Sequence, residues 1–142
     1  MSDELSPEVS EELEHLARRG NEQLEEGDFY EAILSFVEGL KLIPEPKTDW
    51  EATTWLLTAI GEAYFLNEDY ETALKPFTDC MHCPGAIGNP FTHLRKGQCH
   101  FEIGELDEAA EELTRAYAIE GQEVFEEEDE KYLKFLATRI TL

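Results

Sequence analysis

The chain has 142 residues, and 33 acidic side chains against 11 basic ones give it a formal net charge of −22. Such a chain has too few lysine and arginine residues to neutralise nucleic-acid phosphates, and an anionic membrane surface would repel it. Its content of 42% hydrophobic and 11% aromatic residues is still enough for a folded core. We therefore predict one acidic domain that binds neither nucleic acid nor membranes.

The N-terminal segment shows no targeting signal. Its first ten residues include no basic residue and no apolar stretch, and no later apolar run reaches the roughly 18 residues that a membrane span requires. Three cysteines, Cys80, Cys83 and Cys99, cannot all pair within one chain, which is typical of a reducing compartment. We therefore expect a cytoplasmic protein.

A pattern of small and bulky residues recurs three times along the chain. Each unit has a glycine, an alanine 12 residues later, and a bulky apolar residue four residues after the alanine. The three sets are Gly20, Ala32 and Phe36; Gly61, Ala73 and Phe77; and Gly97, Ala109 and Leu113. A residue without a side chain lets two helices approach closely, and the bulky residue fills the space beside it. Each unit is therefore predicted to be a pair of packed helices.

Helical spacing supports this interpretation. In the second unit, large apolar residues recur at Leu57, Ile60 and Tyr64 before the turn between the two helices. Pro44 and Pro84 follow the second helices of units one and two, where the missing N–H ends a helix. Because no segment alternates convincingly with period two, the sequence predicts an all-α fold.

The order of these residues resembles the tetratricopeptide repeat, whose signature is W-x2-L-G-x2-Y, then A-x3-F, then P. The second unit shows this order at Leu57, Ile60, Gly61, Tyr64, Ala73, Phe77 and Pro84. In this register the three units span about 13–46, 54–87 and 90–123. The resemblance implies an α-α superhelix that forms a single domain, 1–142.

Two segments depart from the repeats. Residues 47–53 are extra, and we expect part of them to extend the next helix backward, so that Trp50 and Trp55 lie in one long helix. Residues 123–142 are predicted to form a single capping helix, because acidic residues come first and basic ones later, which complements the helix dipole. The apolar stripe that would cover the third unit consists of Leu133, Leu136 and Ile140.

Stacked repeats of this kind have a concave wall that is built from the first helix of each unit. The residues that helical spacing places on this wall, which we call the concave row, are Asn21, Leu24, Glu25, Trp55, Thr58, Glu62, Phe65, Phe91, Leu94, Arg95, Gln98, Phe101 and Glu102. By resemblance, this wall binds an extended or helical segment of another protein. The alternative is that Phe65 and Phe101, and equally Trp55 and Phe91, fill gaps between units.

The chemistry of the wall can be partly predicted. Some members of the family that the chain resembles bind a partner's C-terminal carboxylate through five Lys, Asn and Arg residues. The corresponding positions here are Ala17, Asn21, Ala59, Phe91 and Arg95. Only the second and the last match, so binding of a chaperone tail through its terminal carboxylate is not expected. The aromatic rings and glutamates of the wall instead suit a partner segment that is apolar and basic. The glutamates are alternatively ordinary solvated surface.

A stretch rich in cysteine and histidine is the candidate for metal or nucleophilic chemistry. Thiolate and imidazole, the ligands that zinc prefers, are offered by Cys80, His82, Cys83, His93, Cys99 and His100. A second Cys or His pair at metal-ligand spacing is lacking, and buried cysteines also pack as small hydrophobes. No phosphate-binding loop, dinucleotide motif or catalytic carboxylate pair occurs in the sequence. We therefore expect no cofactor, no metal and no enzymatic activity.

These patterns favour a non-catalytic protein-interaction module, which acts as an adaptor or as a client chaperone. The alternative is an acidic immunity or inhibitor protein that neutralises a basic toxin such as a nuclease, because a net charge of −22 exceeds what solubility requires. The acidic runs near both ends are either solubilising surface or a surface that attracts a cationic protein electrostatically. Weak self-association, either through the wall or through an imperfectly capped end, is a third hypothesis.

Overall fold

A computed structural model describes residues 4–142. These residues form seven α-helices and three short 3-10 turns, and they contain no strand, so the all-α prediction is confirmed for them. The helices are α1 (Pro7–Glu25), α2 (Phe29–Leu42), α3 (Glu51–Leu66), α4 (Tyr70–Asp79), α5 (Pro90–Glu102), α6 (Leu106–Glu120) and α7 (Glu130–Ala137). The 3-10 turns lie at Lys47–Asp49, Cys80–His82 and Gly121–Phe125.

The helix ends follow from local sequence. The hydroxyl of Ser6 accepts a hydrogen bond from the Val9 backbone N–H (3.2 Å) and so caps α1, which begins with a proline. Asn89 caps α5 in the same way, accepting from the Phe91 N–H (3.0 Å). The helices pack in pairs as α1 with α2, α3 with α4, and α5 with α6, which gives three helical hairpins. None of the helices within residues 4–142 has the length and apolar character needed to span a bilayer.

Each hairpin closes around one of the repeated glycines. A Cβ atom added to Gly20 would lie only 2.5 Å from Cε1 of Phe36, and one added to Gly61 would lie 2.7 Å from Cζ of Phe77. In the third hairpin, a Cβ atom added to Gly97 would lie 2.6 Å from Cγ of Leu113. Both phenylalanine side chains are fully buried. The repeated spacing therefore reflects a close helix–helix approach that a larger residue would obstruct.

Two large groups of buried side chains form the core. The first joins the first hairpin to α3 through residues such as Leu13, Phe36 and Leu56. The second joins the third hairpin to the C-terminal segment, and its members are Leu94, Leu113, Ala116, Phe125, Tyr132 and Leu136. Leu133 and Ile140 pack against this second group. The C-terminal segment therefore covers the last hairpin.

The C-terminal segment is more broken than the sequence predicted. Instead of one helix over 123–142, the structure has the 3-10 turn Gly121–Phe125, a turn of acidic residues, and the short helix α7. The Asp129 carboxylate accepts a hydrogen bond from the Lys131 N–H (2.9 Å) and so begins α7 afresh. The break places Phe125 in the core, where it is 5% exposed. It also avoids the repulsion of five consecutive acidic side chains along one helix.

The prediction of one long helix containing both tryptophans is wrong. Helix α3 begins at Glu51, and the preceding Trp50 has an extended backbone (φ −112°, ψ 133°). The Trp50 side chain packs against the first core group. Trp55, by contrast, is 43% exposed. The two tryptophans differ because the ring of Trp50 is half-buried against the first core group, whereas Trp55 lies on an open face of α3.

Candidate functional site

The part of the concave row on α1 and on the first half of α3 is accessible. Asn21 and Glu25 are exposed, Trp55 is partly exposed, and Leu24 and Thr58 are half-buried. Among residues 4–142, the side chains of Asn21, Glu25 and Trp55 have no hydrogen-bond or ion-pair partner. These groups are therefore free to contact another molecule. Their role in binding stays a prediction.

A buried arginine on α5 holds three segments of the chain together. Arg95 is 7% exposed. Its Nε and Nη2 groups donate to the two carboxylate oxygens of Glu62 on α3, at 2.7 and 3.1 Å. Its Nη1 group donates to Glu128 (2.6 Å) in the turn before α7, and to the amide oxygen of Gln98 (2.8 Å). Four of the five N–H donors of the guanidinium are thereby used within the chain.

Two aromatic rings of the concave row flank the same guanidinium. The Arg95 carbon Cζ lies 4.3 Å from the ring centre of Phe65 and 4.7 Å from that of Phe91. Phe65 also packs edge-on against Tyr70, with 5.4 Å between ring centres. Burial lowers the pKa of Arg95, but the hydrogen bonds and charges of Glu62 and Glu128 raise that pKa by more, so the guanidinium stays charged.

The C-terminal segment covers the polar residues of α5 that follow Arg95. Gln98 is fully buried, and its Nε2 donates to Glu128 (2.8 Å). Glu102 accepts a hydrogen bond from the Tyr132 hydroxyl (2.8 Å) and pairs with Lys131 Nζ (2.7 Å). Burial, together with the hydrogen bond to Glu102 and its charge, raises the pKa of Tyr132 far above its ordinary value. The hydroxyl is therefore a fixed proton donor to Glu102.

The apolar residues of the row on α5 pack against the same segment. The ring of Phe101 contacts those of Tyr132 and Phe135, with ring centres 5.5 and 5.1 Å apart. Leu94 is only 1% exposed and belongs to the second core group. Phe101 thus packs against α7 rather than in a gap between two repeat units.

In the third hairpin, the C-terminal segment therefore packs against part of the predicted binding surface, whose role in binding stays a prediction. The residues of the concave row that contact the C-terminal segment are Leu94, Arg95, Gln98, Phe101 and Glu102. The turn before α7 brings the Glu128 carboxylate onto α5, where it accepts a hydrogen bond from Arg95. The sequence did contain a signal for this contact, because Arg95 is the only basic residue in the concave row and an acidic run follows at 123–130.

Most of the candidate cysteines and histidines are buried, and they do not form one common cluster among residues 4–142. All three thiols are free and buried, and burial raises the pKa of Cys80 to about 11 and that of Cys99 to about 12, so neither is a ready thiolate. His93 lies 2.8 Å from Glu112 through its Nδ1. Within residues 4–142, the group with ligand atoms close enough to share a metal ion, all within 4.8 Å of one another, is His100, Glu105 and Glu108.

Comparison with known sequences gives one curated relative. Tetratricopeptide repeat protein 12 from Homo sapiens is 26% identical over 113 residues, which is 72% of this chain. The chain spans only 15% of the length of that relative. No protein-family model matches the sequence.

Several solved structures share the fold. The Arabidopsis OM64 TPR domain superposes with a TM-score of 0.73 at 19% identity, covering 93% of this chain and 99% of that one. The first TPR domain of Spaghetti (RPAP3), bound to the HSP90 peptide SRMEEVD, gives 0.70 at 18% identity, with 91% and 90% covered. PcrH from Pseudomonas aeruginosa gives 0.68 at 20% identity, with 95% and 94% covered, and was also solved with the chaperone-binding region of PopB.

Proposed function

The chain is a tetratricopeptide-repeat domain by fold, and from this premise we propose that it is a non-catalytic protein-interaction module. A segment of another protein binds on the open part of the concave row, on α1 and α3. The observation that carries this proposal is Trp55, which is 43% exposed and lies on this row. Tryptophan in such a position contributes more than most residues to interface energies.

Two of the similar domains support peptide binding, since they were solved with an HSP90 peptide and with a region of PopB. The carboxylate of a peptide C-terminus finds little to bind here, because Arg95 is already paired with Glu62 and Glu128. Glu25, in contrast, is exposed and has no partner among the described residues. We therefore propose a partner segment that is apolar at Trp55 and basic beside it, bound by a cytoplasmic adaptor or client chaperone.

The alternative is an acidic inhibitor of a basic toxin, which the net charge of −22 favours. The two functions differ in the partner and in the effect of salt. An inhibitor associates with a folded cationic protein at a rate that falls steeply as ionic strength rises. The association rate of a segment held mainly by Trp55 should fall only modestly over the same salt series. Stopped-flow association measured across a salt series separates the two.

Replacing Trp55 with alanine should weaken peptide binding without unfolding the domain. A random peptide library displayed on phage is selected on the wild-type protein, and the Kd of each enriched peptide is measured by fluorescence polarisation. We expect a loss of about 2 kcal/mol, or roughly 30-fold in Kd, because the apolar anchor of the segment loses its contact surface.

Tyr30→Ala is the matched control, because Tyr30 is an aromatic residue on α2 that is 69% exposed. It should bind the selected peptides as the wild type does, and both variants should keep the wild-type Tm. Absence of any enriched peptide, or equal binding by Trp55→Ala and the wild type, would contradict the proposed function.

A further inference from the structure

A cavity of about 610 Å³ lies beside the concave row, bounded by the start of α5, the end of α6 and the turn that leads to α7. Its apolar wall includes Pro90, Phe91 and Val124, all of them half-buried. Two residues that line the cavity, Phe91 and Arg95, also belong to the concave row, and Arg95 is bound to Glu62 on α3, so the cavity borders the second hairpin.

The rim of this cavity carries carboxylates that have no countercharge. Glu120, Glu123, Glu126 and Glu127 line it, and all four are exposed. As far as residues 4–142 are concerned, their side chains make neither a hydrogen bond nor an ion pair. Glu128 differs from these four, because it is already bound to Arg95 and Gln98. The free carboxylates are thus concentrated on one side of the cavity.

Two further features make the cavity attract cations. Among residues 4–142, Arg95 is the one basic side chain that lines it, and two carboxylates, those of Glu62 and Glu128, already compensate its single charge. Helix α6 ends at Glu120, and its last turn contains no basic residue. The carbonyl end of a helix carries partial negative charge and favours a cation nearby. Side chains and backbone therefore contribute negative potential independently.

We infer that this cavity receives a lysine or arginine side chain of the partner segment. The inference rests on the proposed function, since the partner is the segment bound on α1 and α3. The alkyl stem of the basic side chain packs along Phe91 and Val124, and its charged end lies among the free carboxylates. An acidic side chain is rejected, because the only cation in the cavity is already paired.

The test measures whether the effect of one lysine charge on peptide binding depends on the carboxylates of the rim. In a peptide selected on the wild-type protein, each lysine in turn is replaced by norleucine, which keeps most of the alkyl stem and removes the ammonium group. For one lysine we expect binding to the wild type to weaken roughly three- to fivefold. The same replacement should have almost no effect on binding to the variant Glu123→Gln/Glu127→Gln.

The control variant Glu31→Gln/Glu71→Gln removes the same charge from exposed positions on α2 and α4, outside the concave row, and should respond to norleucine as the wild type does. The inference fails if norleucine weakens binding equally in the rim variant, or if peptides that depend on Trp55 bind without any basic residue. The proposed function survives either result. Loss of Trp55 dependence contradicts the proposed function itself. Displacement of the peptide by calcium ions alone would identify a metal site instead and overturn the inference.

Discussion

The guanidinium of Arg95 is compensated by carboxylates from two other segments, Glu62 on α3 and Glu128 before α7. A charge pair of this kind gains less than its short distances suggest, because both groups lose their hydration. Removing only one member is nevertheless costly, since the remaining charge keeps its desolvation and loses its partner. Arg95 therefore stabilises the contact between the hairpins and the C-terminal segment mainly by preventing uncompensated charge.

Arg95→Gln should lower the free energy of unfolding by about 3 kcal/mol, because it leaves two partly buried carboxylates without a cation. Urea unfolding measures this change. The control is Lys75→Gln, which removes the same charge from an exposed pair with Asp79 and should cost less than about 1 kcal/mol. If the two variants lose equal stability, the Arg95 cluster does not hold the segments together.

Some contacts of single residues could be predicted from the sequence and others could not. The contact of Gly61 with Phe77 could be predicted, because both belong to one hairpin and their spacing recurs in each unit. The opposite charges of Arg95 and of the acidic run at 123–130 are visible in the sequence, but the pairing of Arg95 with Glu128 could not be predicted from them, since it joins residues 33 positions apart through a turn between two helices. The open residues Asn21 and Trp55 were placed by helical spacing alone, which needs no knowledge of distant segments.

At the scale of helices, α5 and α6 are joined by a buried carboxylate. Glu112 on α6 is 7% exposed, and its oxygens lie 2.8 Å from Nδ1 of His93 and 2.7 Å from Nη1 of Arg115. Burial raises the pKa of Glu112, but the His93 hydrogen bond and the charges of Lys96, His93 and Arg115 lower that pKa by more. The net pKa of Glu112 therefore lies below its ordinary value of 4.5.

A lowered pKa means that ionised Glu112 stabilises the folded state. This contribution is complete above the unfolded pKa of 4.5 and is lost as the pH falls through the lower folded value. We expect Glu112→Gln to lose about 2 kcal/mol of unfolding free energy at neutral pH and to show a flatter decline of stability below about pH 4.5. Urea unfolding across a pH series tests both.

The control for this experiment is Glu111→Gln, whose side chain pairs with Arg115 but is 62% exposed. Its pH dependence should match that of the wild type. A Glu112→Gln variant with the wild-type decline of stability in acid would show that another carboxylate carries the effect.

The helices themselves could be predicted more reliably than their exact ends. Paired helices follow from a repeated spacing that is local to each hairpin. The break between Gly121–Phe125 and α7 depends instead on whether Phe125 finds space in a core built from α5 and α6. Sequence periodicity does not contain that information. The extended backbone at Trp50 has the same origin, because it packs a half-buried ring against a core that other helices supply.

At the scale of the whole molecule, repulsion among 33 acidic side chains opposes the compact state. Salt screens this repulsion, since the Debye length falls to about 10 Å at 0.1 M ionic strength. We therefore expect the Tm to rise by several degrees between low salt and about 0.5 M NaCl. Differential scanning calorimetry measures the change.

The variant Glu11→Lys/Glu14→Lys provides the comparison, because it changes the net charge by four units, from −22 to −18, on an exposed face of α1. Its Tm should depend less on salt than that of the wild type. A wild-type Tm that falls with added salt would mean that exposed ion pairs outweigh the general repulsion.

The contacts between hairpins limit how this array can grow. Every repeated glycine meets a ring or a leucine of its own hairpin, so an inserted hairpin would leave those contacts intact. The contact of Glu62 with Arg95, however, joins the second hairpin to the third. A fourth hairpin placed between them would separate Glu62 from Arg95. Each of the two charges would then be partly desolvated without this partner. Duplication of a repeat, the usual way in which such arrays lengthen, is therefore opposed here by electrostatics rather than by packing.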